Sequence, residues 1–434
     1  MKDFESNLSN QHESFLSFEN KSQYLNIFRK KSFDNFRKQG LPSLLDEDWR
    51  FTDLSNFYRN EYKHLDSSDI EFDKNIVPKH IKSLDAHFIY VQDGKLIESP
   101  ESELFEINDL SVFLEELSED KLDFFLNSHS EKNVDFTYEL NSAFIKDGIH
   151  LEIKKNTILD KPIILINFYS SDLSHISTRN IIEVGALSEG QIIEYSFSKP
   201  DINFFLNKAT SFYLSDSSNI EHLSVDESSK NSYIFSNIKI NQNKNSNFTT
   251  DSILIGGRIY RNNVHPALKG EGANSNILGL YMSTNNQHMD NYMFVEHEQP
   301  NCGSRQLYKG LLKDESKGVF HGRILVHNAA QKTDAKQTNR NLLLSDKAQV
   351  DTKPQLEIYA DDVKCTHGAT TGQLDPEALY YLRARGIEFE KAKLIMIRSF
   401  TEELLEFIKS DFILNLHKKT VENWFIESNL AETE

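Results

Sequence analysis

The chain of 434 residues is long for a single compact domain, so it holds either several domains or one elongated repetitive core. Its 48 basic and 66 acidic residues give a formal charge of −18, which repels a phosphate backbone and excludes general nucleic-acid binding. The two cysteines, Cys302 and Cys365, exclude a disulfide framework. An iron–sulfur cluster ordinarily takes four thiolates, so they also exclude an all-cysteine cluster site within this chain.

In chain order, Met1 to Gln11 is polar and acidic, which gives no expectation of an export or transit signal. The longest apolar runs, such as Ile163 to Ile166, fall far short of the roughly 20 residues that span a bilayer. The expectation is a cytoplasmic protein with no membrane segment. Leu25, Phe28, Phe33 and Phe36 share one face at helical spacing, and Gly40 with Pro42 stops that helix. A second helical patch runs from Asp109 through Leu110, Phe113, Leu114 and Leu117, then Leu122, Phe125 and Leu126. Residues 1–146 therefore read as a mainly helical N-terminal region.

After Asp147-Gly148 the period becomes two. Ile149, Leu151 and Ile153 alternate with His150, Glu152 and Lys154, and strand-like segments separated by Asn, Ser, Asp and Gly clusters continue to residue 373. An echo recurs at roughly 28 residues, the length of a solenoid coil: Val184 to Gly190, Tyr213 to Asn219 and Leu268 to Asn274, with Leu344 to Ala348 repeating the theme. A parallel β-helix explains this echo, because each coil buries an inward apolar row while its polar turns stack. A β-sandwich has similar turn chemistry, and the pattern alone leaves both open.

Helices return over residues 374–434. Asp375 is placed to cap a helix that has Pro376 at its first position, and Gly386 ends it. A second helix is expected over about Glu388 to Phe400. A third should begin after Thr401 with Leu404, Leu405, Ile408 and Phe412 on its apolar face. Amphipathicity does not say whether these faces dock on the β core or on a partner.

The chemistry concentrates in Asp361-Asp362-Val363-Lys364-Cys365-Thr366-His367-Gly368-Ala369-Thr370. On an extended chain Cys365 and His367 project to one face and form a half-site for iron, zinc or copper. Two other readings stay open: a small buried thiol beside a hydrogen-bonded turn histidine, or a nucleophilic Cys/His pair, for which no orienting third residue is evident. His321, His327, His288 and His297 match no ligand spacing and read as turn or surface residues, and Cys302 reads as a structural thiol in a loop. Phosphate-loop, G-x-G-x-x-G, H-E-x-x-H and C-x-x-C signatures are absent, so any ATP hydrolysis must come from another subunit.

Between about Asn262 and Phe400 the chain resembles the SufB/SufD family of iron–sulfur cluster assembly proteins. The likeness is carried by Ser304 to Gly310, Gly318 to Gly322, Ala330 to Ala335, Asn341 to Ser345, Lys353 to Thr370 and Leu382 to Ile387, with a fainter echo in Asp48 to Thr52. Cys365-Thr366-His367-Gly368-Ala369 and Tyr380-Tyr381-Leu382 are similar to the SufD-type branch rather than the SufB-type.

The resemblance implies a mainly β fold: a right-handed parallel β-helix core over 147–373, flanked by helical regions at 1–146 and 374–434. It implies a non-catalytic scaffold subunit that pairs with SufB and with two copies of the SufC ATPase, or forms a homodimer when isolated. A transient iron–sulfur cluster would form at the interface near His367 and, secondarily, Cys365, with no cofactor tightly bound to the chain alone. By the same resemblance Asp375, Pro376, Leu379, Tyr380, Leu382, Arg385 and Gly386 belong to the SufC-docking helices. The rival functions are a purely structural platform without metal contact and a β-helix enzyme acting on polysaccharide.

Overall fold

In the computed structural model, residues 2–18, 22–65, 72–127 and 135–430 are described. The mainly β core is a parallel β-solenoid of about eight turns, with two ten-stranded sheets facing each other across one interior. The first sheet stacks Asp147–Ile153, Ser174–Val184, Phe205–Leu214, Tyr233–Gln242, Ile259–Leu268, His288–His297, Lys317–Val326 and Gln349–Ile358. The second stacks Ile163–Tyr169, Glu189–Ser198, Asn219–Glu227, Asn247–Leu254, Asn274–Ser283, Gly303–Leu312, Asp334–Leu343 and Lys364–Gly372.

Each strand pairs in parallel with the one a full coil later. Asn219 faces Asn247, 28 positions on, and Gly303 faces Asp334, 31 positions on. The period read from the sequence is thus one coil of a solenoid, and the sandwich alternative falls.

The corner from the first sheet to the second explains the echo. Leu187, Ser217, Asn245, Gly272, Asn301 and Lys332 all adopt left-handed φ values of 54–75° there. Each donates its N–H to a carbonyl one coil on: Leu187 to Asp216, Ser217 to Lys244, Asn245 to Glu271, Gly272 to Pro300, Asn301 to Gln331 and Lys332 to Asp362, at 2.6–3.2 Å. Left-handed backbone costs a side-chain-bearing residue roughly 1–2 kcal/mol, and the ladder of bonds offsets it. The residue after each turn points inward and is small: Ser188, Ser218, Ser246, Ala273, Cys302 and Thr333, all buried. Leu344 to Ala348, expected to repeat this theme, lies at the opposite corner, between Asp334–Leu343 and Gln349–Ile358.

Helices flank the core: α1 Lys2–Phe18, α2 Gln23–Gln39, α3 Lys79–Lys82, α4 Leu110–Glu116, α5 Glu119–Asn127, α6 Phe136–Ala143, α7 Pro376–Ala384, α8 Phe389–Glu402 and α9 Asp411–Glu427. In α2 the four residues picked out by spacing are all buried, and Gly40 caps its C-terminus. Helical spacing did not announce the strands that lie between these N-terminal helices. His87–Gln92 and Phe105–Asp109 extend the two sheets at the start of the solenoid. The His87–Gln92 strand reads Phe88-Ile89-Tyr90-Val91, apolar on both faces, so it carries no alternation.

The N-terminal helices cover the outer face of the first sheet through Phe205, Tyr233, Phe235 and Ile181. Even the polar face read at His150 is covered, since the His150 imidazole stacks on the ring of Phe113.

The C-terminal helices cover the second sheet. Ile413, Leu416, Val421, Trp424 and Phe425 of α9 pack with Ile193, Tyr195, Leu223, Leu278 and Leu280. A buried His417–Asp251 contact at 2.6 Å pins α9 to the sheet. The expected third helix does not start at Thr401. Leu404 and Leu405 lie in the 3-10 turn Glu403–Phe407, and α9 begins only after the Ser410 cap.

His297 lies inside the solenoid, its Nε2 2.9 Å from Ser304 Oγ, and burial holds its pKa down to about 4 from 6.5. A histidine depressed on folding contributes stability that is present above 6.5 and lost as pH falls towards 4. Between pH 7.5 and 5 the loss is about 2 kcal/mol. Urea unfolding of the His297→Gln chain should therefore show a pH dependence weaker than wild type by that amount.

Candidate functional site

Cys365 and His367 lie on the last strand, Lys364–Gly372. Its register sets Cys365 beside Ala335, which is buried in the interior, and His367 beside Gln337, likewise buried. Alternation along the strand therefore directs both side chains to the inner face, as their spacing anticipated. Here that face is open. Lys364–Gly372 and Gln349–Ile358 are the terminal strands of their sheets, so among the described residues no further strand stacks on the last coil. Most of the final strand is exposed, and the unpaired edge leaves backbone N–H and C=O groups available to another chain. Ile358, Tyr359, Tyr380 and Tyr381 add exposed apolar surface at this end.

The two side chains differ in setting. Cys365 is half-buried and packs against the end of the inner core. Burial pushes its thiol above the ordinary value and the nearby Asp334 carboxylate adds to this, against the lowering effect of a hydrogen bond from the Ala335 backbone. The thiol form is thereby favoured over the metal-binding thiolate. His367 is exposed. Beneath it runs a column of carboxamides, in which Gln337 Nε2 donates to Gln306 Oε1 at 3.0 Å. Among the described residues no group of three or more His, Cys, Asp or Glu is arranged to hold a metal ion. Cysteine and histidine side chains can both ligate such a metal, and this pair shares one face at the edge.

The second cysteine is elsewhere. Cys302 belongs to the inward corner column, its Sγ 3.3 Å from the Gly270 carbonyl. It fills the position that serine, alanine or threonine fills in other coils, so it is structural. His321 and His297 are more deeply set than a turn or surface reading allows, while His327, at the turn after Lys317–Val326, fits that reading and His288 is half-buried beside Thr52. His321 is buried and bonds Gln355 at 2.8 Å, and His297 is fully interior. His327 keeps partial exposure beside Glu296 at 2.8 Å.

The faint motif Asp48 to Thr52 is a lock. Arg261 bonds Asp290 at 2.6 Å and the Asp48 carbonyl at 2.9 Å, and its guanidinium lies 4.4 Å from the centre of the Trp49 ring. Thr52 Oγ1 reaches the same Asp290 at 2.5 Å.

In α7, Asp375 accepts the Glu377 N–H at 2.9 Å and Pro376 occupies the first turn, as expected. Gly386 has φ +86°, and the ring of Tyr381 lies 4.5 Å from the Arg385 guanidinium. No residue of α7 is fully buried: Leu379 and Leu382 are half-buried, while Tyr380, Arg385 and Gly386 are exposed.

Residues 167–400 match the SufBD core domain of the SUF system for iron–sulfur cluster assembly, and residues 5–165 match the SufBD protein N-terminal region. The chain belongs to the SufBD family. Among its relatives, the iron–sulfur cluster assembly protein SufD of Escherichia coli is 28% identical over 378 residues, covering 86% of this chain and 87% of that one. An iron–sulfur cluster assembly SufBD family protein of Synechocystis is 30% identical over 84% of this chain and 83% of its own length. One from Mycobacterium leprae is 35% identical over 162 residues, 36% of this chain and 41% of that protein.

Sequence reasoning missed the carboxamides of this SufBD chain that lie beneath His367. Counting one coil back from His367 reaches Gln337, and a second coil back reaches Gln306. The two coils there are 30 and 31 residues long, so the period of roughly 28 read from the sequence does not reach them.

The contrast between the two thiols is measurable. Titration of the native chain with Ellman's reagent at pH 8 should show one fast thiol per chain, and that phase should vanish in Cys365→Ser. Equal rates for both thiols would mean that Cys302 is not enclosed.

Proposed function

We propose that this chain is a non-catalytic, cytoplasmic scaffold subunit of the iron–sulfur assembly machinery. In this reading a SufB-type partner pairs with the exposed terminal strands, and a nascent cluster, the cargo of the complex, forms between the two chains. His367 is the principal donor from this side and Cys365 the second. The observation that carries the proposal is the placement of both donors on the uncovered inner face of a strand whose edge is unpaired. A strand edge is satisfied by another strand, and docking there would bring the partner's ligands to the same mouth.

The chemistry asked of this chain is modest. The exposed imidazole of His367 offers a nitrogen donor without backbone movement. The thiol of Cys365 must lose its proton before it can bind a metal, and the positive charge of incoming iron favours that loss. The raised pKa of Cys365 also supports the second reading, a structural platform on which this thiol stays protonated and the partner does the metal chemistry. Co-expression with SufB- and SufC-type partners, anaerobic purification, and measurement of iron, sulfide and visible absorption separate the two. Under the main reading, His367→Ala yields an intact complex with several-fold less cluster; equal cluster in both complexes leaves the platform.

We assign residues 374–434 to docking of a SufC-type ATPase, with α7 as the contact. Helix α9 is committed to the second sheet, whereas α7 presents Tyr380 and Tyr381, 76% and 56% exposed. Truncation after Gln373 would also uncover Tyr195, Leu223 and Leu280, so surface substitutions are the cleaner test. Tyr380→Glu combined with Arg385→Glu should weaken ATPase co-purification roughly tenfold, as expected for loss of an aromatic and an arginine contact, with circular dichroism unchanged. Undiminished co-purification would place the contact off α7.

A further inference from the structure

We infer that Gln337 is a positioning residue for His367: its side-chain oxygen accepts the N–H of one ring nitrogen and leaves the other nitrogen's lone pair for a ligand at the open end of the solenoid. The inference rests on the reading of His367 as a donor and adds the group that prepares it.

The argument is an accounting of one carboxamide. A glutamine side chain offers two N–H donors and one acceptor oxygen. Gln337 is 0% exposed, and its Nε2 bonds Gln306 Oε1 at 3.0 Å. Its Oε1 is shielded from solvent and has no hydrogen-bond partner among the described residues. Buried acceptors are normally satisfied, and the next side chain along this inward column is the imidazole of His367. Adjacent parallel strands lie about 4.8 Å apart, a spacing that a carboxamide and a ring bridge by small torsional adjustments.

The amide is also held from across the interior. Gly322, on the first sheet, faces it so closely that a Cβ there would meet Gln337 Nε2 at 2.2 Å. The absence of a side chain at Gly322 makes the space this carboxamide occupies. Gln306, Gln337 and His367 thus form a column in which the amide polarity points from the interior to the edge.

The consequence is chemical. A neutral imidazole carries its proton on one nitrogen and its lone pair on the other, and a hydrogen bond to one selects which. Histidines that bind metals ordinarily donate their second N–H to a fixed acceptor, which sets the tautomer and the ring plane. Gln337 supplies that acceptor from within the scaffold, before any partner or metal arrives.

The test reads the tautomer directly. The full-length chain, labelled with 15N-histidine, is studied by NMR at pH 8, with His367 assigned from the His367→Gln spectrum. In wild type the two ring nitrogens of His367 should show the separated shifts of one dominant tautomer. Gln337→Met, of similar length but without the acceptor, should move both shifts towards their mean, and Gln337→Glu, which keeps an acceptor oxygen, should preserve the wild-type pattern. Gly322→Ala, which displaces the amide from the opposite wall, should shift the same two resonances, so the test survives poor folding of the methionine variant. Coincident His367 shifts in wild type, Gln337→Met and Gly322→Ala would overturn the inference. Because no iron enters the measurement, its failure is distinct from retention of clusters by the His367→Ala complex, which would overturn the donor role instead.

Discussion

Parallel in-register stacking is the constraint on which the rest of the molecule depends. A strand in a solenoid cannot satisfy its backbone within its own coil; its N–H and C=O groups bond to the coils on either side. Each added coil completes the previous one and exposes a fresh edge. At the start of the solenoid the antiparallel strand Phe105–Asp109 closes one edge. At the other end Lys364–Gly372 and Gln349–Ile358 remain uncovered. The candidate site occupies that end, where the inward-facing Cys365 and His367 meet the outside.

The same stacking gives the interior its columns. A small residue after each left-handed corner recurs from Ser188 to Thr333, and Cys302 is one member of that series. Its thiol packs where an alanine methyl packs one coil back and a threonine side chain packs one coil on. Cys365, on the final strand, occupies a different column and a half-open environment. Two cysteines of one chain are thereby separated into a structural and a chemically available thiol by coil number and column, without any difference in local composition that announces it.

The outer faces are governed by a few buried polar contacts placed among apolar ones. Arg261, Asp290, Thr52 and Trp49 join the N-terminal region to the first sheet, and His417 with Asp251 joins α9 to the second. Burying such groups brings little net stabilisation, because desolvation offsets the attraction. Their geometric demands are strict, so we read them as setting the position of each helical layer on its sheet. Covering both faces leaves the solenoid's end as its exposed strand edge. It also leaves α7, which begins at Pro376 just after the final strand, with no fully buried residue.

The sequence alone determined the coil period, the caps at Asp375, Pro376 and Gly40, the apolar face of α2, and the shared face of Cys365 and His367. Each is a local property: a cap is set by one side chain and its neighbours, and alternation by the geometry of a single strand. Tertiary structure alone decided that the echo at Leu344 belongs to the opposite corner, that Leu404 lies in a 3-10 turn, that His321 and His297 are buried, and that Gln337 lies beneath His367. These depend on which strand stacks on which and on what covers each face, contacts between residues some 30 or more positions apart that single-strand periodicity does not encode.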